Sequence, residues 1–587
     1  MSSGEPDART DSAPETSRNA IRGGVLRLPA LGILLAILIL QTACGGETSP
    51  GTNTLRKDTV VSNKPQQWRV LELQFTAEGT YVNPAADIAL VTTFVGPEGE
   101  TYAVSGFWDG GDAWKVRFTP TAPGKWTYVT QCSSEDPGLN GQTGTFRAAR
   151  AAGSNPLLVH GGFLRVSANR RYLTYTDGTP FFWLGDTWWF CPSALVPYEG
   201  STNPEYDSMY RTLIDMRSEQ GYTVAHMAFL GPVSESRGVN SLADQGRTRS
   251  IDTLYWREVD RYIAYANESG IVPVIGLAFH SGMDELDLSA WTFLWQYVAA
   301  RYGAFPVSWL IGGEYNADTG NPTERVPMVL ALGQAIKDAD PYRRAMTVHP
   351  WWYRGDGRQA WDEPWYDFIM LQGAHGAAPP LSLYHEAYAR SDPKPVLEAE
   401  CNYEGIHNLT DFDVRWAAYR AIQAGSFGYT YGAHGLWYPT QSHDDTTFDE
   451  WGTPVPWWEA LRKPGGAQMR LLREFYESLA WWELEPRPDG LTSDPRMPDM
   501  VMPAVKALED RTFVIYFPRN YPSTASAYLH GTRPGAAYQA TWFDPRTGEW
   551  SLHEGDLTTE PTGMLLPSRP GYSMDWLLQV TLDSRDR

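Results

Sequence analysis

From about residue 66 to 150 the chain alternates apolar and polar positions in short runs, WRVLELQF, ADIALVTTFV, YAVSGFWDG, AWKVRFTP and KWTYVTQC, each followed by a turn-rich segment. A period of two places successive side chains on opposite faces of a strand, and short strands at this spacing predict an antiparallel β-sandwich over 65–150. The rhythm changes near residue 155. From there to about 482, eight apolar strand-like runs (180–187, 222–229, 271–279, 307–313, 345–350, 367–372, 395–400 and 427–435) alternate with helical patterns. The helices are expected at 206–220, 254–269, 288–302 and 325–338, then near 382–391, 411–424 and 464–481. Eight strand–helix units predict an α/β fold, a parallel sheet closed into a (β/α)8 TIM barrel whose chemistry sits where the strands end. Between 490 and 587 the strand patterns return in VMPAVKALE, RTFVIYFP, ASAYLHG, YQATWFDPRTGEW and DWLLQVTL, which read as a second β-sandwich.

The first 44 residues follow a different logic. Arg18, Arg22 and Arg27 precede an uncharged segment, Leu28 to Ala43, that ends at Cys44 before Gly45 and Gly46. Basic, apolar and small-residue regions in that order make a secretory signal, and small residues directly before a cysteine resemble a bacterial lipoprotein box with Cys44 as the lipidated residue. Gln41 departs from the apolar residue usual in such a box. The apolar run is shorter than the roughly 20 residues a membrane-spanning helix needs. An exported protein, secreted or held at the cell surface by lipid on Cys44, is therefore expected, with 45–64 as a polar tether too poor in apolar side chains to fold. Membrane contact is expected only through this N-terminal segment.

Length and charge narrow the partners. At 587 residues the chain exceeds a single core, and its net charge of −21 argues against a nucleic-acid partner. Twenty-five Trp and 31 Tyr supply large cores and also rings suited to the apolar faces of sugars. With Cys44 set aside, Cys132, Cys191 and Cys401 are an odd number, so no full disulfide framework is implied; free buried thiols are expected, with a bridge between Cys191 and Cys401, which follow strands one and seven, as the alternative.

The predicted strand ends carry a concentration of polar and aromatic groups. Strand one ends in Asp186, Trp188 and Trp189; strand two offers His226; strand three ends in His280; strand four ends in Glu314, Tyr315 and Asn316. Strand five supplies His349 and Trp351, strand six Gln372 and His375, strand seven Glu400, Tyr403 and Glu404, and strand eight His434 and Trp437. All fifteen besides Glu314 and Glu400 are candidates to bind or shape a pocket for a carbohydrate substrate. Breaking a glycosidic bond takes a carboxylic acid to protonate the leaving oxygen and a carboxylate to attack or to activate water, and Glu314 and Glu400 are the candidate pair. Retention needs the two carboxyls about 5 to 5.5 Å apart, and inversion about 6.5 to 9.5 Å. Glu398, two residues before Glu400, is expected to share its inward face one layer deeper and to lend structural support.

PFFWLGDTWW (180–189), WLIGGEYN (309–316), KPVLEAECNYEG (394–405) and VRWAAYRAIQAGSFGYTYGAHGLW (414–437) resemble the ordered motifs of the apiosidase-like catalytic domain, also catalogued as DUF4038. That resemblance implies an O-glycosyl hydrolase, and no cofactor or metal is expected. Acids ending strands four and seven resemble those of the retaining glycosidase clan, which implies Glu314 as general acid/base and Glu400 as nucleophile of a retaining mechanism. Two positions depart from the pattern: Glu314 stands where many relatives have Asp, and Cys401 where proline is common. The 65–150 block, through Gly106-Phe107-Trp108-Asp109-Gly110, Trp114, Arg117, Phe118, Pro120, Gly124 and Trp126, resembles the DUF5060 β-sandwich. The last block, through Phe543 to Gly548 and Asp575-Trp576, resembles a collagen-binding-type domain, and a cap on the barrel or an accessory carbohydrate module is the expected role. Two other readings are kept. A metal-dependent hydrolase would draw on the clustered histidines, but no His-x-His follows strand one and no lysine closes strand four. A noncatalytic surface protein would bind glycans or matrix through its sandwiches.

Overall fold

Eight parallel strands form the centre of the molecule, as the alternating pattern predicts: Trp183–Trp188, Val224–Ala228, Val272–Gly276, Ser308–Gly313, Met346–His349, Ile369–Gln372, Val396–Glu400 and Ser426–Tyr431, here strands one to eight. A computed structural model describes residues 64–229, 249–351, 357–376, 378–492, 498, 501–522 and 524–584. The expected signal segment, Cys44 and nearly all of the tether lie outside the described residues. Hydrogen-bonded ladders run in the order five, four, three, two, one, eight, seven, six. Strands five and six meet without a ladder. The seam between them is closed by the Asp367 amide donating to Met346 O (3.0 Å), the Met346 amide donating to Asp367 Oδ2 (2.9 Å) and Thr347 Oγ1 donating to Phe368 O (3.0 Å).

Helices Met209–Glu219, Thr253–Glu268, Leu288–Tyr302, Pro322–Ala339, Leu381–Tyr388, Asp411–Gln423 and Pro464–Glu477 pack around this sheet. Several start at a side-chain cap that satisfies otherwise orphaned amides: Asp252 accepts from Leu254 and Tyr255, Asp287 from Ala290, and Thr410 forms a capping box with Asp413. The interior is filled in layers. Trp183 sits at the base, its ring 5.5 Å from Phe368 and 6.1 Å from Phe427, so the barrel is a packed core with a mouth at one end.

The N-terminal block forms two antiparallel sheets, one of three strands and one of four. Phe94 stacks on Phe118 between them at 4.0 Å. Phe107, Asp109 and Arg117 of the sequence motif face the barrel helices. Arg117 donates to Asp260 (2.9 and 2.6 Å) and Glu72 (2.8 Å), while Arg301 donates to Asp260 (2.8 and 2.6 Å) and Asp109 (2.9 Å). The Phe107 ring contacts both guanidinium groups, at 5.0 and 4.7 Å. Burial alone would raise the Asp260 pKa, but the two arginines outweigh it and hold the carboxyl well below the usual range.

The C-terminal block is likewise antiparallel, with a seven-stranded and a three-stranded sheet. It docks on helix Asp411–Gln423. Arg415 donates twice to Asp575 (3.0 Å each), and Gln423 Nε2 donates to Ala504 O (3.1 Å) and Val514 O (2.6 Å). Cys132, Cys191 and Cys401 are free thiols.

Candidate active site

Strands four and seven each carry one extra residue just before their terminal acid. On strand four, Leu310 pairs with Thr347 but Gly313 pairs with His349; on strand seven, Glu398 pairs with Leu371 but Glu400 pairs with Gln372. Such bulges re-aim side chains. Residues paired across parallel strands share a face, so Glu400 points inward with Gln372, and Glu398 points outward with Leu371. The expectation that Glu398 lies beneath Glu400 in the interior is thus corrected, because the bulge at Ala399 breaks the period of two. Glu398 instead braces the bulge: it accepts the amides of Gly373 (3.2 Å) and Glu400 (3.1 Å), and Tyr384 of helix Leu381–Tyr388 donates to it. Burial pushes its pKa up to about 8.

Glu314 leaves strand four with φ of +44°, a left-handed conformation that costs a non-glycine residue energy. Gly313 before it admits the Phe279 ring, which would collide with any β-carbon there. Glu314, 8% exposed, accepts through its carboxyl from Gln372 Nε2 (2.8 Å) and contacts His280 Nε2. Burial and then the charge of Glu400 raise its pKa well above the ordinary value. Glu400, 7% exposed, has His349 Nε2 at 3.3 Å and His375 Nε2 at 3.6 Å. Burial would raise its pKa, but His349, His375 and the Tyr403 hydroxyl outweigh that and leave it below the ordinary value. The backbone amide of Tyr403 donates to His375 Nδ1 (3.3 Å), so Nε2 carries the ring proton and faces Glu400 as a donor. Burial also lowers the pKa of His280 and His375 to about 4, keeping both neutral near pH 7.

Around this pair stand most of the other expected groups. Trp189 lies in the interior, 5.4 Å from the His349 ring, and donates to Tyr403 Oη (3.0 Å). Trp351 packs edge-on against His280 at 5.4 Å. His434 and Trp437 stack at 6.5 Å on the strand-eight side.

Six candidates lie elsewhere. Odd-numbered Trp183, Thr187 and Trp189 of strand one face inward, so Asp186 and Trp188 face the helices: Asp186 pairs with Arg217 (2.6 Å), and Trp188 donates to Asp186 (3.2 Å) and meets Tyr210. His226 is one layer below the mouth, between the rings of Trp183 and Trp189. Tyr315 turns away, its hydroxyl donating to Gly357 O (3.2 Å), and Glu404 is engaged by Tyr431 Oη (2.8 Å). Asn316 occupies a supporting position, its Oδ1 accepting the Trp351 amide (2.7 Å). The expectation that these side chains touch sugar gives way to roles in holding the frame. Trp451, which the sequence pattern did not single out, stands at the mouth with its ring 5.8 Å from that of His375. Among the described residues no group of three His, Cys, Asp or Glu is arranged to hold a metal ion.

Comparison with known proteins agrees with this architecture. A glycoside hydrolase structure aligns with a TM-score of 0.57 at 23% identity, covering 74% of this chain and all of its own. A protein of Bacteroides vulgatus ATCC 8482, provisionally described as a glycoside hydrolase, aligns with a TM-score of 0.65 at 19% identity over 89% of this chain and all of its own. A glycoside hydrolase family 5 protein of the same strain aligns at 0.57 and 21% identity, over 73% of this chain and 95% of its own. At these identities the likeness is one of fold. No curated protein matches the sequence. Residues 64–133 match the domain of unknown function DUF5060. Residues 167–483, more than half of the chain, match the apiosidase-like catalytic domain, and the protein belongs to that family.

Proposed function

We propose that the protein is an O-glycosyl hydrolase that works by double displacement, with Glu400 as nucleophile and Glu314 as general acid and then base. The observation that carries this reading is the opposite pull on two buried carboxyls at one barrel mouth: burial and the Glu400 charge raise the Glu314 pKa, while His349, His375 and Tyr403 lower that of Glu400. Environments that drive two acids apart assign the acid and the nucleophile. In the first step Glu400 attacks the anomeric carbon as the C–O bond breaks, and the Glu314 proton goes to the departing oxygen. In the second, Glu314 takes a proton from water, which displaces Glu400 and returns the sugar with its original anomeric configuration. His349, His375 and Tyr403 surround Glu400 and favour its charged form, which keeps the attacking oxygen in place.

The test is a screen of purified protein against aryl glycosides of pentoses, deoxyhexoses, hexoses and uronic acids, and against pectic, arabinogalactan and microbial polysaccharides, with product anomers followed by NMR. Initial release of the inverted anomer would refute double displacement; loss of activity to a chelator would refute metal-free chemistry; tight glycan binding without turnover would favour a binding protein. Apiosides are included because of the family's name.

The pH profile follows from the same electrostatics. Activity needs Glu400 charged and Glu314 neutral, so kcat/KM is expected to be bell-shaped. It falls on the acid side as the pair takes up its second proton, below the ordinary glutamate range, and on the alkaline side as it loses its last, well above that range. A profile flat through the alkaline limb would contradict the role given to Glu314.

The compartment belongs to the proposal and rests on residues 18–46 alone: an exported enzyme, held at the surface through Cys44. Recovery of the intact N-terminus in the cytosolic fraction of producing cells would overturn it.

A further inference from the structure

Trp451 has 36% of its surface exposed, whereas most of the large aromatic residues around the barrel are buried. It is also held firmly. Phe448, three residues earlier, adopts a left-handed φ of +66°, a strained choice for an aromatic residue. His434 Nε2 donates to Gly452 O (2.7 Å), which ties the segment to the end of strand eight. Trp437 backs the indole at 5.6 Å, and the His407 ring lies 6.3 Å away, within 26° of parallel. An exposed, apolar, preorganised ring at the mouth of a polar pocket is suited to the C–H face of a sugar.

The two acids have different aromatic neighbours. Glu400 is reached through His375, whose ring is 5.8 Å from Trp451, while Glu314 is reached through His280, whose ring is 5.4 Å from Trp351. In double displacement the retained sugar becomes bonded to the nucleophile, and the departing group leaves past the acid. We propose that Trp451 is the stacking platform for the retained sugar and so a specificity-determining residue, with Trp351 marking the leaving-group side. The inference rests on the hydrolase reading for the meaning of the two sides.

The experiment compares wild type, Trp451→Ala, Trp451→Phe and Trp351→Ala, using the phenyl glycoside cleaved fastest in a panel of pentosides, deoxyhexosides and hexosides. Trp451→Ala is expected to raise KM about tenfold and to raise the inhibition constant of the released free monosaccharide by a similar factor. Trp451→Phe should recover most of both, and a melting temperature well above the assay temperature in each variant separates lost sugar contact from lost packing against Trp437 and Phe448. Trp351→Ala should leave the monosaccharide inhibition constant alone and weaken oligosaccharide substrates instead. An unchanged monosaccharide constant in Trp451→Ala, or a loss confined to substrates with a long leaving group, would overturn the assignment. If the wild type cleaves no member of the panel, the hydrolase reading fails separately. Calorimetry with the free monosaccharides then decides the platform: weaker binding to Trp451→Ala supports it and equal binding refutes it.

Discussion

Glu400→Gln is expected to abolish turnover, by about 10⁴-fold or more in kcat/KM, while leaving fold and sugar binding intact. Glutamine keeps the volume and can still accept from His349 or His375 through its carbonyl, so the loss reports the missing nucleophile and not a collapsed pocket. Glu314→Gln should behave differently. With ordinary leaving groups it is expected to lose roughly 10² to 10⁴-fold, and far less with a dinitrophenyl glycoside, whose leaving group needs no proton. Small anions such as azide should speed that variant by intercepting the glycosyl enzyme and yield a glycosyl azide. Steady-state kinetics on the two aryl series, with a melting curve for each variant, make the measurement. Activity of Glu400→Gln equal to wild type, or an identical response of both variants to leaving-group quality, would refute the division of roles.

Asp260→Ala is expected to be the most damaging change outside the site. Its carboxylate neutralises Arg117 and Arg301, both fully buried where the N-terminal sandwich meets the barrel. Removing one partner of a buried ionic cluster leaves uncompensated charge and costs about 3 to 5 kcal/mol. The Glu72 and Asp109 contacts remain but cannot reach the bonds that Asp260 made to both arginines. Replacing all three by apolar residues of similar volume, Asp260→Leu with Arg117→Met and Arg301→Met, should recover part of the loss, because Lys115 still pairs with the Glu72 and Asp109 carboxylates that lose an arginine (3.1 and 3.0 Å). Urea unfolding followed by tryptophan fluorescence separates the outcomes. A midpoint for Asp260→Ala within error of wild type would show that the cluster contributes little.

Much of the architecture was legible because barrel strands and helices differ in period. The helix expected at 288–302 is Leu288–Tyr302, and each of the eight strands falls within its expected run apart from a residue at an end. Facing direction was less legible. A single extra residue at Ala399 reverses the sense of Glu398 relative to Glu400, and nothing in VLEAE announces it. Asp186 and Trp188 misled for the related reason that strand one follows its alternation strictly, which sends even-numbered residues to the helices. Trp451 escaped notice because it follows strand eight in a turn-rich stretch without periodicity, placed by a contact between His434 and Gly452. Contacts distant in sequence were out of reach altogether: Arg117 and Asp260 are 143 positions apart. Glu314 and Glu400 stand out as candidates in the sequence because an acid at the end of an apolar run is a local signal, whereas their unequal proton affinities depend on neighbours from other strands and loops.

The join between strands five and six bears on how the catalyst would wear out. Elsewhere around the ring, neighbouring strands share main-chain ladders; at this one edge the Asp367 and Thr347 side chains supply most of the bonding. His349 and Gln372 top the two sides of that edge, one beside Glu400 and the other bonded to Glu314. A small parting there would separate the supports of both carboxyls while leaving the other ladders and both flanking sandwiches in place. Heat would then silence the enzyme before it melts, with inactivation preceding any large change in circular dichroism.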